Sequence, residues 1–202
     1  MMNQIQQELE KLTCIELKKI PEFAVDVKLD PTTAHQSLVV SPDGKKVRDR
    51  GSNTDVPNTA DGFDMFCSVL GLNGLTSGRA YWEVDVGRKP RWDLGVARRS
   101  ANRKGQLVLN PEKGFWVVGY YEGKQYKART APLVRIPLKG KPRRVGVFVD
   151  YEEGLVSFYD VTNQSHIYSF TGCFFGGEIC PYFSPNPQKK ENNADPLVVC
   201  AL

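Results

Sequence analysis

The chain carries little with which to do chemistry. Its two histidines, His35 and His166, form no metal-ligand pattern with each other or with the cysteines. The cysteines, Cys14, Cys67, Cys173, Cys180 and Cys200, are odd in number, and no two stand at C-x-x-C spacing. Neither a zinc site nor a disulfide framework is expected, and a reducing, cytoplasmic setting is. There is no glycine-rich phosphate loop and no nucleophile motif, so an enzyme reading has no residues to carry it, and no cofactor is expected. No apolar run approaches the ~20 residues that cross a bilayer. The first residues are polar and of mixed charge, unlike a secretory signal. Asn163-Gln164-Ser165 matches a glycosylation acceptor only formally, since a cytoplasmic chain does not meet that machinery. The net charge of +4 gives weak attraction to anions, far short of the basic stripe of a dedicated nucleic-acid binder. Internal repeats and low-complexity stretches are also missing.

What the chain does have is punctuation and alternation. Eighteen glycines and thirteen prolines are spread along 202 residues, as many short strands joined by many turns require. Residues 1–20 differ from the rest. Ile5, Leu9, Leu12 and Ile20 fall near one helical face, with Leu17 beside it, and Pro21 stops the pattern. This predicts a short amphipathic helix docked on the domain, or the end of a longer coiled coil. From Phe23 the period becomes two. Val25, Val27 and Leu29 alternate with polar residues, and Ser41-Pro42-Asp43-Gly44 is a turn between two short strands. Further strands are expected at 66–72, 79–86, 92–97, 115–121, 125–128, 144–149, 155–159, 167–170, 178–182 and 197–199, with an exposed loop at 49–62. About a dozen strands and almost no helix predict an all-β, two-sheet antiparallel β-sandwich with a short N-terminal helix.

Several stretches occur in a telling order. Val27-Lys28-Leu29-Asp30-Pro31 is followed by Leu38-Val39-Val40-Ser41-Pro42-Asp43-Gly44. Then come Tyr81-Trp82-Glu83-Val84, Trp92-Asp93-Leu94-Gly95-Val96-Ala97 and Gly114-Phe115-Trp116. Phe148-Val149-Asp150-Tyr151-Glu152 and Pro181-Tyr182-Phe183-Ser184-Pro185 complete the series. Together these resemble the B30.2, or PRY-SPRY, family, with the PRY part at about 21–75 and the SPRY part at about 76–202. The chain looks most like the C-terminal domain of tripartite-motif (TRIM) E3 ubiquitin ligases, where residues 1–20 would match the end of a coiled coil. Butyrophilins and some fish immune receptors carry the same domain. The resemblance implies a recognition module, not a catalyst, that chooses a protein target, in innate immune signalling. It implies dimerisation through a coiled coil of the parent. The motif residues are read as scaffold: Trp82, Trp116, Phe148 and Phe158 as core, and Asp30, Glu83 and Asp150 as turn holders or arginine partners. His35 is read as a hydrogen-bonded structural residue.

Family partners are gripped by variable loops at one end of the sandwich. Carried onto this chain, those loops are 48–58, 87–93, 120–124 and the stretch after Ser184. The candidate contacts are Tyr120, Tyr121, Asp93, Arg50, Arg91, Lys124 and Asn186. Two adjacent tyrosines in a strand cannot both face the core, so at least one of Tyr120 and Tyr121 points outward. Asp93 falls where Fc-binding relatives place an acidic contact. Gly119, Tyr121 and Pro187 fall where those relatives place large aromatics; Gly119 and Pro187 depart from that pattern, which implies a partner other than Fc. A second reading is that the basic loops take an anionic ligand: a phosphorylated small molecule, a lipid headgroup or RNA.

Overall fold

The computed structural model describes residues 20–51, 59–122, 125–137, 140–187 and 193–202. The expected helix at 1–20 lies outside them except for Ile20, which opens a 3-10 turn at Ile20–Phe23. Among the described residues there are fourteen strands: β1 Leu29–Asp30, β2 Leu38–Val40, β3 Lys46–Asp49, β4 Val69–Gly71, β5 Arg79–Asp85, β6 Trp92–Arg98, β7 Phe115–Tyr121, β8 Gln125–Ala128, β9 Val134–Ile136, β10 Arg144–Asp150, β11 Leu155–Asp160, β12 Ser165–Phe170, β13 Ile179–Ser184 and β14 Leu197–Val199. They form two seven-stranded antiparallel sheets. The first runs β1-β4-β13-β6-β7-β8-β9 and the second β12-β11-β10-β5-β14-β3-β2. The expected sandwich is what the chain builds.

The sheets face each other across one apolar core. Alternate residues supply it: Trp82 and Val84 from β5, Val147 and Val149 from β10, Trp92, Leu94 and Val96 from β6, Trp116, Val118 and Tyr120 from β7. Period-two alternation puts these on one side of each pleat. Burying each large side chain stabilises by about 1.5–3 kcal/mol. The outer faces are also partly covered. Phe63, Leu107 and Leu109 pack over Phe115, Val117 and Tyr182 on the first sheet. On the second sheet, Ile20 packs on Tyr81 and Tyr159, and the Phe23 ring lies 6.0 Å from that of Phe148.

The motif residues are scaffold. Trp82, Trp116 and Phe158 are buried in the core, while Phe148 is half-buried on the outer face of the second sheet. Asp30 caps the 3-10 turn Pro31–Thr33, its Oδ1 accepting from the Thr32 N–H at 3.0 Å. Glu83 accepts from the Tyr81 hydroxyl at 2.6 Å and from Arg144 at 3.4 Å, and Asp150 accepts from Arg79 at 2.9 Å. His35 bridges the Ser37 hydroxyl at 2.8 Å and the Asp64 carbonyl at 3.2 Å.

Two local expectations change. The alternation from Val25 to Leu29 forms a ladder only at Leu29–Asp30, which pairs with β4. Ala24 instead bridges to Tyr81. The segment is pinned to the second sheet at Ala24 and to the first at Leu29, so it crosses between sheets and cannot run as one strand. The stretch expected at 49–62 to be an exposed loop begins as the end of β3. Residues 52–58 lie outside those described, and Phe63 just beyond is fully buried.

β6 and β7 approach closely at Gly95, which pairs with Val117. A Cβ on Gly95 would collide with the Trp116 carbonyl oxygen. Gly95→Ala is expected to cost ~2 kcal/mol or more in urea unfolding, since neither backbone can yield without breaking the ladder. A loss under ~0.5 kcal/mol, the range of an innocuous surface change, would contradict this close approach.

Candidate recognition site

Register determines which loops meet. β5 ends at Asp85, opposite Val198 of β14, and Leu197, the start of β14, faces Val47 of the antiparallel β3, which runs on past it to Asp49. Ser184, the end of β13, faces Asp93 near the start of β6. Trp92 faces Tyr120, and Tyr121 faces Gln125. The connections after β3, between β5 and β6, between β7 and β8, and between β13 and β14 therefore open at one end of the sandwich. These are the loops that the family resemblance pointed to.

On the outer face of the first sheet at that end, one row crosses five strands: Ser184, Asp93, Gly119, Lys127 and Arg135. Gly119 leaves a gap in the row. A Cβ there would strike the Tyr121 hydroxyl and Asp93 Oδ1. Through that gap Tyr121 folds back and donates its hydroxyl hydrogen to Asp93 Oδ1 at 2.6 Å. Arg129 Nε donates to the same oxygen at 3.3 Å, and Asn186 Nδ2 to Oδ2 at 3.1 Å. Asp93 is only 2% exposed, so its charge is held by three donors from three segments. Burial, then Asp93, raises the Tyr121 phenol above its ordinary value. Burial would lower Arg129, but Asp93 and Tyr121 more than offset it.

Three cations surround the Tyr121 ring, with Lys127 Nζ 5.2 Å, Arg129 Cζ 5.3 Å and Arg91 Cζ 5.6 Å from its centroid. Each cation–π contact at a partly exposed site is worth roughly 0.5–1 kcal/mol. Beside the ring lies a depression of about 260 Å³ lined by Arg91, Tyr121, Glu122, Gln125, Lys127, Arg129 and Leu133.

The structure sorts the expected contacts. Tyr121, Asp93, Arg91 and Asn186 are brought together. Tyr120 is a correction: it is 1% exposed and stacks on Trp92 with ring centroids 5.5 Å apart. Directly opposite Trp92 on a shared pleat, it faces the core and cannot touch a partner. Arg50 stands at the same end but on the other sheet, donating to the Leu38 carbonyl at 3.1 Å. It lines a separate depression of about 260 Å³ with His35, Leu38 and Thr59. Lys124 lies outside the described residues.

Sequence reasoning missed Lys127, Arg129, Gln125 and Leu133. The signal was present in Gln125-Tyr126-Lys127-Ala128-Arg129, which puts two apolar residues in and three polar ones out. Lys89 was missed as a buried group. It is 1% exposed, and its Nζ donates to the Asn193 carbonyl at 3.1 Å. Arg88 N–H donates to Asp195 Oδ2 at 3.0 Å. These contacts fasten the β5–β6 loop to the segment before β14. Burial pushes the Lys89 ammonium down to about 8, with Asp195 and Asp49 pulling the other way.

Sequence profiles now place the scaffold. The SPRY domain profile matches residues 79–196, and the SPRY-associated PRY profile matches residues 27–75. The chain belongs to the SPRY family. This SPRY domain is 42% identical to human pyrin over 98% of its own length and 25% of pyrin's. It is 40% identical to the bovine E3 ubiquitin-protein ligase TRIM21 over 92% of its length and 40% of that ligase's. The chain thus spans a quarter to two fifths of these two relatives. The crystal structure of the TRIM65 PSpry domain superposes with a TM-score of 0.77 at 20% identity, covering 92% of this chain and 94% of that one. At that identity the likeness speaks for the fold alone.

Gly119→Ala is expected to push the Tyr121 hydroxyl off Asp93. With the Asp93 contribution lost, the variant's phenol is expected to ionise at a lower pH than the wild-type phenol, which burial and Asp93 together hold above its ordinary value. An NMR titration of the Tyr121 ring carbon reads this, and identical titrations would contradict the role given to Gly119.

For Lys89 the sign follows from a folded value of about 8 against the ordinary 10.5. Between these pH values the unfolded chain holds more protons, so the Lys89 contribution to stability rises with pH. In urea unfolding at pH ~7.5 and ~10.5, wild type should gain ~2–3 kcal/mol relative to Lys89→Met. A difference that does not change with pH would show the ammonium to be solvated.

Proposed function

We propose that this SPRY domain is the target-recognition module of a TRIM-type E3 ubiquitin ligase acting in innate immune signalling in the cytoplasm. In this reading it binds a protein target at the end of the sandwich where the β5–β6, β7–β8 and β13–β14 connections meet. Transfer of ubiquitin belongs to other parts of the parent, and dimerisation to a coiled coil in that parent. The relationship to ligases such as bovine TRIM21 supports the class. The observation that carries the site is the half-buried Tyr121, held rigidly on Asp93 at the mouth of a depression.

A rigid tyrosine on a scaffold is a low-entropy anchor for protein contact. The loops around it can vary in length without disturbing the ladders beneath. Tyr121→Ala should weaken target binding by ~2 kcal/mol or more, at least about 30-fold, the scale of an interface hot spot. Affinity capture with wild type and variant, followed by mass spectrometry, reads the effect, and thermal melts check that both proteins are folded. The same proteins captured equally by both would place the contact surface elsewhere.

A further inference from the structure

We propose that the depression beside Tyr121 receives a carboxylate side chain of the protein target, with an apolar neighbour of that carboxylate resting on Leu133. This rests on the reading of the loop end as the target-binding surface and names the chemistry it selects.

Charge favours this occupant. Arg91, Lys127 and Arg129 crowd one ring within 5.6 Å of its centroid. Asp93 answers only Arg129 among them, and it also accepts from Tyr121 and Asn186. Neither Arg91 nor Lys127 has an ion pair among the described residues. Arg135 adds a further cation in the same cross-strand row. Glu122 is the one carboxylate in the lining, against Arg91, Lys127 and Arg129. Like charges gathered this closely repel, and a carboxylate brought by the target relieves the remaining repulsion while its own hydration is replaced by fixed donors.

Size favours it as well. A volume of about 260 Å³ falls below the ~300–1,000 Å³ of small-molecule pockets, which suits one side chain better than a whole small ligand. The rim adds to this: Leu133, 52% exposed, lines the depression just before β9, the outermost strand of its sheet among the described residues. Apolar surface beside a cationic hollow fits an acidic residue with apolar company. A nucleic-acid backbone fits less well. Its reader needs cations along a track and several aromatic faces for successive bases, whereas here the cations converge on one ring.

The test uses the 202-residue chain and three blocked pentapeptides with Leu-Glu-Leu, Leu-Gln-Leu or Leu-phosphoserine-Leu at the centre, together with inorganic phosphate. NMR signals of the arginine Nε–H groups report binding. The glutamate peptide should shift Arg91 and Arg129 saturably, with the glutamine peptide at least about tenfold weaker. Arg91→Glu with Lys127→Glu should abolish the shift, and raising salt from ~50 to ~200 mM should weaken it. Equal binding of the glutamate and glutamine peptides, or no saturable shift with either, overturns the proposal. Saturation by phosphate or the phosphoserine peptide without the glutamate peptide overturns it in favour of a phosphate ligand. If Tyr121→Ala loses the captured target while the charge-reversal pair keeps it, the loop-end reading survives and the acidic partner does not. If both variants keep the target, the loop-end reading itself falls.

Discussion

The bond on which the proposed recognition end depends runs from the Tyr121 hydroxyl to the buried carboxylate of Asp93. A buried charge is costly unless its lone pairs are filled. Here they are filled from three directions: Tyr121 at the end of β7, Arg129 just after β8, and Asn186 after β13. One carboxylate thereby ties three connections to the sheet. Its second effect is geometric. Tyr121 is folded back past Gly119, and Arg91, Lys127 and Arg129 gather around its ring. Gly119 makes this possible by leaving its place in the row empty.

The rest of the molecule positions that bond. The inter-sheet core sets the pleat of β6 and β7, and the pleat turns Asp93 and Tyr121 outward while Trp92 and Tyr120 turn in. The motif residues act at a distance from it, through the turn cap of Asp30 and the arginine pairs of Glu83 and Asp150. They hold the strands in register, and register decides which loops share an end. On the second sheet Ile20 and Phe23 cover apolar surface; on the first, Phe63, Leu107 and Leu109 do so away from the loop end. Tyr121 and its cations sit where that cover stops.

Much of this was legible in the sequence because it follows from alternation and turn chemistry. The sandwich, most strands and the scaffold role of the signature residues could be read that way. So could the rule that one of two adjacent tyrosines must face out. Which tyrosine could not be read, and the reason is physical. In Phe115–Tyr121 both parities are apolar, because Phe115 and Val117 are buried under Phe63, Leu107 and Leu109 while Trp116 and Val118 enter the main core. A strand buried on both faces loses its period-two signal. The identity of the outward residue then depends on Trp92 standing opposite Tyr120, which is a fact of pairing between strands. The cation cluster was hidden for the same reason. Lys127 and Arg129 alternate cleanly with Tyr126 and Ala128, yet nothing local says that Lys127 falls opposite a glycine or that Arg91 reaches the same ring. β9 was missed because a three-residue strand, within only four residues between Pro132 and Pro137, carries too little pattern.

The central claim is that this SPRY domain meets its target at the loop end organised by Tyr121 and Asp93. Hydrogen–deuterium exchange of the chain with and without a captured target measures that surface directly. Protection should concentrate at residues 86–93, 119–129 and 193–196, with residues 72–78 and 171–178 at the opposite end unchanged. Protection confined to the opposite end, or to the outer face of the second sheet, would contradict the account.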